Sequence, residues 1–148
     1  MELFNNGDHV CLVFRDLVTG GEAVQSNQFL IYDNEHAALI DPGGEFTYTR
    51  LFMEIMKYMN VTEMDYIIAS HQDPDVVASL NRWLVGTDAK VVVPELWEQF
   101  YSALYTPWKN RQPDHYHARS RYEFAARIFF PESLARTFSA RRREFPVL

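Results

Sequence analysis

One imidazole and two carboxylates fall within five residues at His71, Asp73 and Asp75, in the run Ser70-His71-Gln72-Asp73-Pro74-Asp75. Imidazole nitrogen with carboxylate oxygen is a donor set for zinc, non-haem iron or manganese. Two acids held this close repel one another unless a cation neutralises them. Pro74 stiffens the turn between them. The same residues also read as local structure alone: Asp75 as the N-cap of a following helix, Asp73 as an anion near that helix's positive end, and His71 as the residue that closes a strand.

The flanking sequence places the cluster. Residues 66–69, Tyr-Ile-Ile-Ala, have the length and residue types of a buried strand, and the apolar run stops at Ser70. Val76, Val77, Leu80 and Leu84 then recur at helical spacing. The cluster therefore occupies a loop between the C-terminal end of a strand and the N-terminus of a helix, where open α/β sheets bind their ligands.

Upstream, residues 10–14 read as a strand followed by a turn around Gly20 and Gly21, and residues 23–32 and 37–40 as two more strands joined by the polar turn Asp33-Asn34-Glu35. A β-meander is the simplest arrangement. His36 reads as a surface residue. Asp41-Pro42-Gly43-Gly44 ends the third of these strands, and Asp41 is expected to hydrogen-bond the backbone of its own turn. Residues 47–59 predict a helix whose Leu51, Phe52, Ile55, Met56 and Met59 share one stripe, with Asn60 as its C-terminal cap. Beyond the cluster, Gly86 ends a helix, residues 90–93 form a short strand, and Pro94 opens a helix carrying Leu96, Trp97, Phe100 and Leu104. Strand, helix, strand, helix in this order implies parallel pairing with right-handed crossovers. The expected class is α/β with α+β character and a mixed sheet.

His71-x-Asp73-x-Asp75 behind an apolar strand, together with Asn27-Gln28-Phe29-Leu30-Ile31-Tyr32 and Ala38-Leu39-Ile40-Asp41-Pro42-Gly43, resembles the N-terminal half of a metallo-β-lactamase-fold domain over about residues 3–105. Within that superfamily it is most similar to the flavodiiron branch and its oxygen-binding diiron relatives. Hydrolases of the superfamily carry His at the middle position, where the diiron branch has a carboxylate, and here that position is Asp73. The resemblance implies a partial αββα sandwich. It also implies a non-haem iron site, with two irons when complete, in which His71 and Asp73 ligate the first iron, Asp75 the second, and Asp41 holds loops together. Val76 stands where many relatives carry a further His. The family completes its site with a His, a bridging Asp and a final His farther along, and the expectation is that this chain ends before that architecture is built. His115-Tyr116-His117, with Asp114, is the only other cluster with ligand chemistry, and a His-x-His in a basic tail reads first as solvated; a second chain is another source of ligands.

A chain of 148 residues with 47% hydrophobic and 23% charged residues has the composition of a soluble globular protein. Its net charge of -6 argues against nucleic acid as the main partner, and no apolar run reaches membrane-spanning length. The cytoplasm is the default compartment. Cys11, the single cysteine, cannot form an internal disulfide and reads as a buried, inert thiol. Charge divides the chain: residues 1–105 carry 5 Lys and Arg against 16 Asp and Glu, whereas residues 106–148 carry 9 against 4, with Arg141, Arg142 and Arg143 in one solvated run. Two segments follow, a family-like one over residues 1–105 and a divergent Arg-rich one over residues 106–148. The second is expected to be poorly ordered and not homologous to the first, as an out-of-frame extension would be.

Three functions compete on this reading. The first is a non-haem diiron module that binds dioxygen or nitric oxide as a sensor. The second is a metal-dependent hydrolase using metal-bound water, with zinc as the alternative metal. The third is a shortened fold without metal or catalysis. Half a sandwich would expose an apolar sheet edge or face, so a homo-oligomer or a covering partner is expected.

Overall fold

A computed structural model of the chain describes residues 1–19, 21 and 23–94. The helix expected after Pro94, His115 and His117, the Arg run and the whole segment 106–148 lie outside the described residues.

Six strands form one sheet in sequence order. The first four, β1 (Glu2–Asn5), β2 (His9–Phe14), β3 (Gln28–Asp33) and β4 (His36–Ile40), make an antiparallel meander. β5 (Tyr66–Ile68) then joins β4 in parallel, and β6 (Lys90–Val92) joins β5 in parallel. The meander and the parallel pair are those expected from the pattern of turns and helices. β1 was not anticipated: all four of its residues are exposed, so it lacks the apolar alternation that marks a half-buried strand. The strand expected from residue 23 begins only at Gln28. Between β3 and β4, Asn34 takes a left-handed conformation, φ 54°, which a short amide side chain tolerates.

The register explains the core. Leu12, Leu30, Leu39, Ile67 and Val91 are paired in turn across five adjacent strands, and all belong to one buried cluster. Against this row pack α1 (Tyr48–Ile55), through Leu51 and Ile55, and α3 (Leu80–Gly86), through Leu80, Trp83 and Leu84. The next row points to the opposite face, and there too Val13, Ile68 and Val92 are buried, as are Ile31 and Ala38 one position along. A sheet apolar on both faces belongs to the interior of a layered fold, and the architecture is a partial α/β sandwich around a mixed sheet. Among the described residues no helix is long and apolar enough to cross a membrane.

Three details depart from the expected helices. α1 is shorter than residues 47–59, and Met56 is 50% exposed instead of sharing the core stripe. Asn60 caps no helix C-terminus; its side chain accepts from the Thr62 amide and starts a single 3₁₀ turn, Val61–Glu63. The helix after the cluster is two pieces, α2 (Pro74–Val77) and α3, with Ser79 between them.

Candidate metal centre

Parallel pairing of β4 with β5 brings the cluster its neighbours. Ile40 and Ile68 are partners at the C-terminal ends of these strands, so the loops that follow leave the sheet side by side. Asp41 is the first residue of one loop and Ser70 an early residue of the other. Asp41 turns with φ 56° and donates its amide to the Ile68 carbonyl at 2.8 Å. Its carboxylate reaches across: Oδ1 accepts the Ser70 amide at 2.8 Å, and Oδ2 lies 2.9 Å from Ser70 Oγ. Ser70 Oγ is in turn 2.7 Å from His71 Nδ1. The expected supporting role of Asp41 is thus made concrete, although its carboxylate serves the neighbouring loop and not its own turn.

His71 Nε2 faces Asp73 Oδ2 at 3.6 Å, and the two side chains are 45% and 61% exposed. The N-cap is Asp73 and not Asp75, and Asp73 makes no side-chain capping hydrogen bond. Its charge still stands at the positive end of the helix, as the local-structure reading expects, but its carboxylate oxygens are not used as a cap. The two atoms, His71 Nε2 and Asp73 Oδ2, stand near enough for a proton or a metal ion to lie between them. Two donors held about 2.1 Å from one ion stand roughly 3.0–3.5 Å apart, slightly closer than the 3.6 Å seen.

Asp75 lies in the first turn of α2, where its charge favours the helix N-terminus. Among the described residues no three His, Cys, Asp or Glu side chains converge to hold one ion. The structure thus brings His71 and Asp73 together and leaves Asp75 apart. Val76 is 3% exposed and belongs to the core cluster, so the position at which many relatives carry a further His points inward here.

The loops are laced together through backbone atoms. Gly43 donates its amide to the Val76 carbonyl at 2.7 Å, and the Ser79 amide returns to the Gly43 carbonyl at 3.1 Å. Ser79 Oγ, buried, lies 2.8 and 2.7 Å from the carbonyls of Pro42 and Gly43 and accepts from Trp83 Nε1 at 3.2 Å. Ser26 Oγ donates to the Asp75 carbonyl at 2.7 Å and accepts from Gln28 Nε2 at 2.8 Å. Gly44 lies against the same stretch: a Cβ there would meet Asp75 Cα and the Pro74 carbonyl oxygen at 3.4 Å, an ordinary van der Waals contact. Ser26 and Ser79 were not singled out from the sequence, whereas Trp83, expected on an inter-helix packing surface, is buried against Tyr48 and Phe52 of α1. Ser70 was singled out only as a boundary; its place beside a ligand-type His was the signal for a supporting hydroxyl.

Comparison with known proteins bears on what this loop pair serves. Residues 24–126 match the family described as "ODP family beta lactamase". A diflavin flavoprotein, A 4, of Synechocystis is 34% identical over 87 residues, covering 58% of this chain and 14% of its own length. A solved structure described as "Peroxy diiron species of chemotaxis sensor ODP" is 36% identical with a TM-score of 0.60, covering 68% of this chain and 40% of that one. A flavo di-iron protein variant from Thermotoga maritima shares the fold, with a TM-score of 0.59 at 21% identity over 81% of this chain and 32% of its own. The chain thus spans a small part of the diflavin flavoprotein and less than half of the sensor. With more than half of its residues inside the family match, this chain belongs to the ODP family of beta-lactamase-fold proteins, on the flavodiiron branch of the metallo-β-lactamase fold.

Proposed function

We propose that this chain is a non-haem iron-binding module that takes dioxygen or nitric oxide as its small ligand and acts as a sensor. The observation that carries this reading is the facing of His71 Nε2 and Asp73 Oδ2 at 3.6 Å, with the Asp73 carboxylate making no cap bond. An imidazole beside a carboxylate at the middle position suits iron. The 36% identity to a protein described as a diiron chemotaxis sensor supports the same choice.

His71 and Asp73 would hold one iron, and Asp75, displaced into the first turn of α2, its neighbour. Bound iron would supply the electrons and the open coordination position that a diatomic gas requires. The chain's own contribution is positional. Asp41 and Ser70 hold the imidazole from behind, and the backbone lacing through Gly43, Ser79 and Ser26 fixes the loops that carry the ligands. Remaining ligands would come from a second copy of the chain, giving a homo-oligomer. Metal-dependent hydrolysis is the weaker alternative, because the carboxylate at residue 73 and the inward-facing Val76 both depart from the hydrolase pattern.

Metal content by mass spectrometry tests the reading, on protein purified without oxygen from iron-supplied cells, beside His71→Ala. Bound iron that the variant loses is the expected result. Neither protein holding metal would overturn the iron module and leave a metal-free member of the family.

A further inference from the structure

Asp41 does more than tie two loops. We propose that Asp41, acting through the Ser70 hydroxyl, sets the tautomer of His71, placing the ring proton on Nδ1 and the lone pair on Nε2 toward Asp73. For its functional meaning this rests on the iron reading above; the tautomer itself does not.

The argument is a count of protons. An ionised carboxylate only accepts. Asp41 Oδ1 takes the Ser70 amide at 2.8 Å, and Oδ2 lies 2.9 Å from Ser70 Oγ, so the hydroxyl proton points at Oδ2. A hydroxyl has one proton. Toward His71 Nδ1, 2.7 Å away, Ser70 Oγ can therefore only accept, and the proton on that line belongs to the imidazole. A neutral ring protonated at Nδ1 has its lone pair on Nε2, the nitrogen that faces Asp73 Oδ2 at 3.6 Å. Serine alone would not decide this, because its hydroxyl could equally donate to Nδ1 and push the ring proton to Nε2. The carboxylate breaks the tie. The left-handed turn at Asp41 and its amide bond to Ile68 hold that carboxylate opposite Ser70. Asp41 and Ser70 are positioning residues: neither need touch the metal.

Replacing Asp41 by Asn reverses the direction of the relay. The Ser70 amide still requires the amide oxygen of Asn, which leaves its NH₂ group facing Ser70 Oγ. That group donates, the hydroxyl proton turns to His71 Nδ1, and the ring proton moves to Nε2. Nitrogen-15 NMR of full-length, metal-free protein labelled at histidine reads the tautomer directly, in a pH series carried upward until the ring signals no longer move and the ring is neutral. His71→Ala identifies the signals. Expected are an Nδ1–H ring in the native protein, an Nε2–H ring in Asp41→Asn, loss of preference in Ser70→Ala and its return in Ser70→Thr. Iron affinity should fall about 10–100-fold in Asp41→Asn. An Nε2–H ring in the native protein, or an unchanged ring in Asp41→Asn, would overturn the proposal. If Asp41→Asn does not fold, the Ser70 pair decides, since Thr keeps the hydroxyl and Ala does not. An Nδ1–H ring without iron binding in any form would uphold the relay while removing the iron reading.

Discussion

Gly43→Ala probes the crowding in the loop packed beside the one that carries His71 and Asp73. Gly43 has φ 87°, and a Cβ built on it would lie 2.7 Å from Thr47 Cγ2 and 2.9 Å from Thr47 Cβ. Thr47 is itself buried at 2% exposure, so it has little room to yield. An L-residue in the left-handed region costs about 1–2 kcal/mol, and overpacking adds about 1–3 kcal/mol. The sum, about 2–5 kcal/mol, corresponds to roughly 5–15 °C of melting temperature in a chain of this size. Gly7 provides the control: it has φ 98° but nothing within 4 Å of an added Cβ, so Gly7→Ala carries only the backbone cost of about 1–2 kcal/mol. Urea and thermal unfolding of both variants measure the difference directly. Equal losses at the two glycines would refute the argument that Gly43 is required by close packing.

Other substitutions test the core and the thiol. Val76→His returns a ligand-type residue to the position where relatives carry one, but into a core site with 3% exposure. It is expected to destabilise the metal-free protein by about 2–4 kcal/mol in urea through lost apolar burial and an unsatisfied ring nitrogen, without raising iron content. Cys11 is half-buried, and burial pushes its thiol above the usual range. The native state therefore keeps the thiol proton longer than the unfolded chain does. The resulting stability is full below the unfolded thiol's pKa of about 8.5 and is lost as pH rises through the higher folded value. Cys11→Ala should flatten the decline in unfolding free energy above that pH, and identical slopes in the two proteins would contradict it.

The fold was legible where one periodicity dominated. Leu12, Leu30 and Leu39 sit in strands whose alternation is visible, and Leu51 and Ile55 lie four apart on a helix, so the meander and α1 could be read directly. β1 could not, because an exposed edge strand has no buried face to leave a pattern. Nor could the break between α2 and α3. Val76, Val77, Leu80 and Leu84 keep helical spacing across it, while the Ser79 hydroxyl bonds the carbonyls of Pro42 and Gly43, more than thirty residues away. The candidate site divides in the same way. His71 and Asp73 were visible as donor types, but their shared direction depends on where α2 starts, which is set by the extended backbone of Asp73.

The contacts that hold the ligand loops end mostly on backbone atoms: the carbonyls of Pro42, Gly43, Asp75 and Val76, and the amides of Gly43, Ser70 and Ser79. The donor side chains of His71 and Asp73 are about half exposed and carry little of the packing. Scaffold and ligand identity are therefore separable. Val76 illustrates this from the other side, since an apolar residue at a ligand-type position is absorbed by the core while its carbonyl still accepts from Gly43. It follows that His71→Ala should unfold within about 0.5 kcal/mol of the parent, whereas loss of the Ser79 hydroxyl, which removes its bonds to the Pro42 and Gly43 carbonyls and one of the two acceptors of Trp83 Nε1, acts on the frame itself. A His71→Ala protein that remained folded but lost its iron would report on coordination alone.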